Sequence, residues 1–153
     1  HIGNCAYLGK KFGAKTAMHY DDAGMAERGD MFWNRKKVNT LIRTIFKVFF
    51  GLSKSDRFSP DLYVEDGYDL SEYGFDAKVI HIPGHSKGSI GVLTGGCDLF
   101  CGDLLTNVDK PALNSLMDDL EAAHASVEKL KRLEINTVYP GHGKPFSMSF
   151  LTE

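Results

Sequence analysis

Apolar positions recur along this chain with two different periods. Val38, Leu41, Ile42, Ile45, Phe46, Phe49 and Leu52 step by three and four, with Arg35, Lys36, Lys37, Arg43 and Lys47 between or beside them. That spacing predicts an amphipathic helix over Phe32 to Leu52. Shorter apolar runs at Leu62 to Glu65, Lys78 to Pro83, Ile90 to Thr94, Leu99 to Gly102 and Ile135 to Tyr139 read as strands, and Gly95-Gly96 as the turn of a hairpin. Asn4 to Phe12 predicts a short helix stopped by Gly13, and Lys15 to His19 a strand. Asp21 to Asp30 begins as a helix with Asp21 or Asp22 as its cap. Ser115-Leu116-Met117-Asp118 has the form of a capped helix start. It leads into a helix with Leu116, Leu120, Ala123, Val127 and Leu130 on one side and Lys129, Lys131 and Arg132 at its end. The mixture predicts an α/β fold.

Three of these runs end in potential metal ligands. Ile80 to Pro83 runs up to Pro83-Gly84-His85, Cys97 to Cys101 up to Gly102-Asp103, and Ile135 to Tyr139 up to Pro140-Gly141-His142. Strand ends let a sheet aim several side chains at one point. Two imidazoles and a carboxylate suit zinc, iron or manganese better than calcium or magnesium. Taken singly, each histidine could equally be a turn residue and Asp103 could bond its own turn; their order along the chain favours ligands. His19 reads as a satisfied strand-end histidine, His81 as pointing off the core, and His124 as lying on the polar side of its helix. Cys97 and Cys101 read as strand or core cysteines rather than a soft-metal pair.

Composition narrows the class without naming a substrate. At 153 residues, 42% hydrophobic and 25% charged, the chain can bury a real core. A net charge of −2 gives no reason to expect nucleic acid or a membrane surface as a partner. Three cysteines, an odd count, argue against a disulfide framework and for a reducing, cytoplasmic compartment. No segment has the length of a transmembrane span.

With these segments in order, the chain resembles the metallo-β-lactamase superfamily, in particular its glyoxalase-II-like hydrolases. Ile82-Pro83-Gly84-His85-Ser86 is similar to the family's first downstream histidine loop, Phe100-Cys101-Gly102-Asp103 to its bridging-aspartate strand, and Tyr139-Pro140-Gly141-His142-Gly143 to its last histidine loop. His1 with Ile2-Gly3-Asn4 resembles the final histidine of the family's His-x-His-x-Asp-His cluster. The resemblance implies an αββα sandwich and a dinuclear metal site. His85 would serve one metal, His1 and His142 the other, and Asp103 would bridge both and act in catalysis. It implies zinc, with iron or manganese as alternatives, and a metal-bound hydroxide attacking an ester, thioester, lactam or phosphoester. Ser86 would help to orient the His85 loop.

No His-x-His-x-Asp precedes His1. The expectation is therefore a single domain over residues 1–153, the C-terminal portion of the family's fold, with its N-terminal strands absent and a helical insertion at about 25–58. An incomplete ligand set puts the activity of the chain in doubt. A small-molecule substrate is the expected partner, and a homodimer stays open. Two other readings stand beside this one. The chain could be a non-catalytic interaction module that pairs through a sheet edge or the Phe32 to Leu52 helix. Alternatively, a mature His1 could chelate copper through its amine and ring.

Overall fold

In a computed structural model of the chain, residues 2–35, 39, 41, 44, 45 and 53–151 are described. His1 lies outside them. So does most of the Phe32 to Leu52 helix, of whose seven apolar positions only Leu41 and Ile45 are included. The chain forms two compact units, His1–Val64 and Glu65–Glu153.

The first unit opens with α1, Cys5–Phe12, which Gly13 ends in the left-handed conformation expected of it. The predicted strand shrinks to β1, Ala17–Met18, paired in parallel with β2, Leu62–Tyr63. Asp61 anchors this pair: its carboxylate accepts from the Thr16 N–H at 2.9 Å and from the Thr16 hydroxyl at 2.9 Å. The next helix, α2, is Tyr20–Arg28, and its cap is not Asp21 or Asp22 but His19. The buried His19 ring accepts from the Asp21 N–H at 3.3 Å. Both aspartates move into the first turn, where the helix dipole favours their charge. Trp33 packs flat on Gly24 of α2, where a β-carbon would collide with the indole, and Arg28 covers the ring at 3.8 Å.

Among its described residues, the second unit is a six-stranded sheet with one α-helix on it. Its path is β3 (Ala77–His81), β4 (Ile90–Thr94), β5 (Asp98–Asn107), β7 (Thr137–Gly143) and β8 (Phe146–Ser147), and β6 (Ala112–Leu113) pairs with the far end of β5. The β4–β5 hairpin turns through Gly95 and Gly96 as predicted, but its left-handed residue is Cys97, at φ 63°. One row of partners, Leu93, Leu99, Val138 and Phe146, crosses the sheet on the core face. Helix α3, Leu120–Leu130, lays Ala123 and Leu130 on that core. A second row on the opposite face runs Val79, Val92, Phe100 and Tyr139, with the Phe100 and Tyr139 rings stacked at 4.8 Å. The outer edge of β3 is taken by residues 67–70, through Gly67 N–H to Val79 O, Val79 N–H to Tyr68 O and Leu70 N–H to Ala77 O.

Three expectations are corrected in this unit, the first being the strand expected over Leu99 to Gly102, which as β5 runs on to Asn107 and so carries Asp103 within it. Helix α3 does not begin at Ser115; Asp119 caps it by accepting from the Ala122 N–H at 3.0 Å. The N–H groups that would have opened the earlier turn are used elsewhere: Leu116 bonds the Asn114 side chain, and Asp118 and Asp119 bond Gly84 O. Leu116 and Leu120 therefore stay exposed instead of joining the apolar side. The final strand does not end at Tyr139 either. β7 runs on through Pro140, Gly141 and His142 because β5 offers partners beyond them, and β8 follows.

Candidate metal centre

The β5–β7 ladder contains the event that shapes the site. Gly102 is opposite Pro140, but Thr106, four residues on, is opposite His142, only two residues on. The extra residues on β5 form an irregularity of the bulge kind, which re-aims a side chain. Asp103 is the first of them. Its carboxylate lies over the Cα of Gly141, where any β-carbon would collide with Oδ1. The glycine before His142 thus lets the carboxylate reach the end of β7.

His85 and His142 approach that carboxylate from different loops. His85 Nε2 is 3.7 Å from Asp103 Oδ2, and His142 Nε2 is 3.5 Å from Asp103 Oδ1. The His142 side chain is 54% exposed, whereas His85 is 23% and Asp103 15% exposed. His85 Nδ1 lies 2.7 Å from the carbonyl oxygen of Leu116. A carbonyl only accepts, so Nδ1 carries a proton and Nε2 is the nitrogen turned toward Asp103. The usual metal-binding histidine has this arrangement, with one nitrogen held by an acceptor and the other presented.

The His85 loop is bolted to α3. Ser126, buried on the helix, donates to Pro83 O at 2.7 Å, and the Asp118 and Asp119 N–H groups donate to Gly84 O at 2.8 and 3.0 Å. Gly84, at φ 147°, sits against Ala123 so closely that a β-carbon would lie 2.5 Å from the alanine Cβ. Ser86 closes the loop from inside: its N–H donates to Ser89 Oγ at 3.0 Å and the two hydroxyls meet at 2.8 Å. On the His142 side, Thr106 Oγ1 donates to His142 O at 3.3 Å and the Asn107 amide donates to Lys144 O at 2.9 Å.

The other candidates hold other places in their own units. His19 is a helix cap in the first unit, His81 holds Lys87 O through Nε2 at 2.8 Å, and His124 is exposed on α3. The buried Cys101 thiol is pushed up to about 11 by loss of solvent, and Cys97 serves the hairpin turn. A concavity of about 430 Å³, lined in part by Asp69, Asp76, Lys78 and Leu133, shares no residue with the three donors. Sequence reasoning gave no role here to the Leu116 carbonyl or to Ser126; a backbone carbonyl leaves no signature in a sequence, and serine is an ordinary residue type.

By donor type and orientation, His85, Asp103 and His142 fit a divalent transition metal. Among the described residues, however, no group of three or more His, Cys, Asp or Glu side chains is placed to hold an ion by itself. The three meet as two pairs sharing Asp103 rather than as a closed cage. His1, the fourth residue singled out by the resemblance, is outside the described residues.

A mixed α/β fold that brings a loop histidine, an aspartate of β5 and a histidine of β7 together defines a class, and comparison with known proteins identifies it. The profile of the metallo-beta-lactamase superfamily matches residues 1–142, and the chain belongs to that superfamily. Among curated relatives, a hydroxyacylglutathione hydrolase of Francisella philomiragia is 31% identical over 96 residues, 61% of this chain and 38% of that protein. A beta-lactamase-like protein 2 homolog of Caenorhabditis elegans is 32% identical over 82 residues, 53% of this chain and 26% of that protein. The chain thus aligns with well under half the length of these relatives. Among solved structures, TTHA1623 in a di-iron-bound form superposes with a TM-score of 0.73 at 24% identity, over 100% of this chain and 69% of that one. The metallo-beta-lactamase superfamily protein ST1585 of Sulfolobus tokodaii gives 0.71 at 22% identity, over 99% of this chain and 60% of that one. These likenesses establish the fold. Among the described residues, no helix is long and apolar enough to cross a membrane.

Proposed function

We propose that His85, Asp103 and His142 are metal ligands of a hydrolase active site. The observation that carries this reading is the convergence of two histidine Nε2 atoms on the two oxygens of one carboxylate, at 3.5 and 3.7 Å. Asp103 offers one oxygen toward each histidine, which would let it serve as a bridging ligand. His85 contributes an imidazole whose second nitrogen is held by Leu116 O. Zinc suits these nitrogen and oxygen donors, with iron and manganese as alternatives. When bound, the metal would supply an activated water at neutral pH and polarise the bond under attack. The chain's own part is to hold the donors in place, through the α3 clamp on the His85 loop and the β5–β7 irregularity under Asp103. Substrates of the ester, thioester, lactam or phosphoester type suit such chemistry. Thioesters come first because curated relatives are hydroxyacylglutathione hydrolases.

The test is metal content per chain by elemental mass spectrometry after reconstitution with zinc, iron or manganese. It is run on the protein and on His85→Ala, Asp103→Asn and His142→Ala, with thioester hydrolysis assayed in parallel. Stoichiometric metal in the protein and a clear loss in each variant are expected. A protein that takes up no metal, or variants that keep as much as the parent, would sink the reading.

A further inference from the structure

Leu116 O is the group that selects which nitrogen of His85 is presented, and something must hold that carbonyl in place. Leu116 lies in an exposed stretch between β6 and α3, with no strand or helix of its own. Asp118 and Asp119 N–H groups tie the stretch to Gly84 O on its far side, and on its near side the two bonds that fix the turn both involve Asn114. The Asn114 side-chain oxygen accepts from the Leu116 N–H at 3.1 Å, closing a local turn across Ser115. The Asn114 N–H donates to Leu104 O at 3.1 Å, on β5 one residue beyond Asp103. A short chain of bonds therefore runs from the strand that bears Asp103, through Asn114 and Leu116, to the ring of His85.

We infer that Asn114 is a positioning residue for His85: it ties the carbonyl that fixes the histidine tautomer to the strand that carries Asp103. The two side chains that face one another across the candidate centre are then aligned through one side-chain amide. Without it the Leu116 N–H loses its local acceptor, the turn loosens, and Leu116 O no longer stays within reach of Nδ1. Nδ1 then has no fixed acceptor to hold its proton, and any molecule protonated at Nε2 presents no lone pair toward Asp103. The effect on metal uptake rests on the function proposed above; the effect on the tautomer does not.

The experiment compares the full chain with Asn114→Ala and Asn114→Asp, the second of which keeps a side-chain acceptor for Leu116 N–H. Long-range ¹H–¹⁵N correlation spectra of the metal-free proteins at neutral pH read the His85 tautomer. Titration with Zn²⁺ alone, and the visible spectrum with Co²⁺ alone, read the metal site. His85 is expected as the Nδ1–H tautomer in the parent and in Asn114→Asp, and as a mixture in Asn114→Ala. Zn²⁺ affinity is expected to fall by about tenfold or more in Asn114→Ala, the usual loss for a residue behind a ligand, and to return in Asn114→Asp. An unchanged tautomer in Asn114→Ala overturns the inference, as does an Asn114→Asp protein that behaves like Asn114→Ala. A shifted tautomer in a chain whose parent takes up no Zn²⁺ supports the positioning role and overturns the metal reading alone.

Discussion

The glycine of Pro83-Gly84-His85 is the point at which the candidate centre depends most directly on packing. An alanine there would place its Cβ 2.5 Å from the Cβ, 2.6 Å from the Cα and 2.9 Å from the N of Ala123. Two of those atoms belong to the backbone of α3 and cannot rotate away. Overpacking of a fitted interior costs about 1–3 kcal/mol. Holding a residue other than glycine at φ 147° adds about 1–3 kcal/mol more. Together Gly84→Ala is expected to cost roughly 2–6 kcal/mol, a large share of the ~5–15 kcal/mol of a typical domain. Gly74→Ala supplies the control: its φ is 76°, but nothing lies within 4 Å of the added carbon, so it reports the backbone cost alone. Urea unfolding followed by circular dichroism would give the midpoints, with an unchanged slope showing that only stability has moved. Adding Ala123→Gly to Gly84→Ala removes the nearest colliding atom, so the double variant should be less destabilised than the two single losses combined. The reasoning is refuted if Gly84→Ala unfolds no earlier than Gly74→Ala, or if the two losses simply add.

Other outcomes follow from the same geometry. Ser126→Ala removes the bond to Pro83 O and is expected to cost about 1–3 kcal/mol, measured by the same unfolding curves; no loss would mean that the bond does not secure the loop. Cys101, buried and with its thiol pushed up to about 11, is expected to resist a thiol-specific reagent at pH 8 until the protein unfolds, while the less buried Cys97 reacts first. Mass mapping of the labelled peptides checks this, and equal labelling in the native state would contradict it. The Asp61 carboxyl is held below its usual range by the Thr16 N–H and then the Thr16 hydroxyl, with burial opposing and Lys15 assisting. A lowered folded-state value means that its contribution is complete above the ordinary aspartate value of about 3.9 and is lost as pH falls through the lowered one. The stability difference between the protein and Asp61→Asn should therefore be full above about pH 4 and shrink as pH falls below it; the same difference at pH 7 and pH 3 would exclude the effect.

The sequence by itself determined a good deal about this protein. Hydrophobic runs leading into Pro-Gly-His and Gly-Asp picked out three strands and the residues they deliver, because strand period and turn chemistry are local properties; only His85 lies past a strand end, while Asp103 and His142 lie within β5 and β7. Gly13 as a helix stop and the core cysteine at position 101 were legible for the same reason. Where local signals competed, the tertiary structure decided. Ser115 carries a good capping pattern, yet the amides needed for an earlier first turn go to Asn114 and Gly84, and Asp119 caps instead. Asp21 and Asp22 look like caps, but the buried His19 takes that place. β7 runs past Pro140 because β5, not β7's own sequence, provides partners for His142 and Gly143. Most of the site's geometry belongs to this second group. The β5 irregularity under Asp103, the glycine that admits its carboxylate, and the Leu116 carbonyl on His85 join residues 31 to 38 positions apart. Such contacts depend on how strands and a helix meet in space, and no local period in the chain records them.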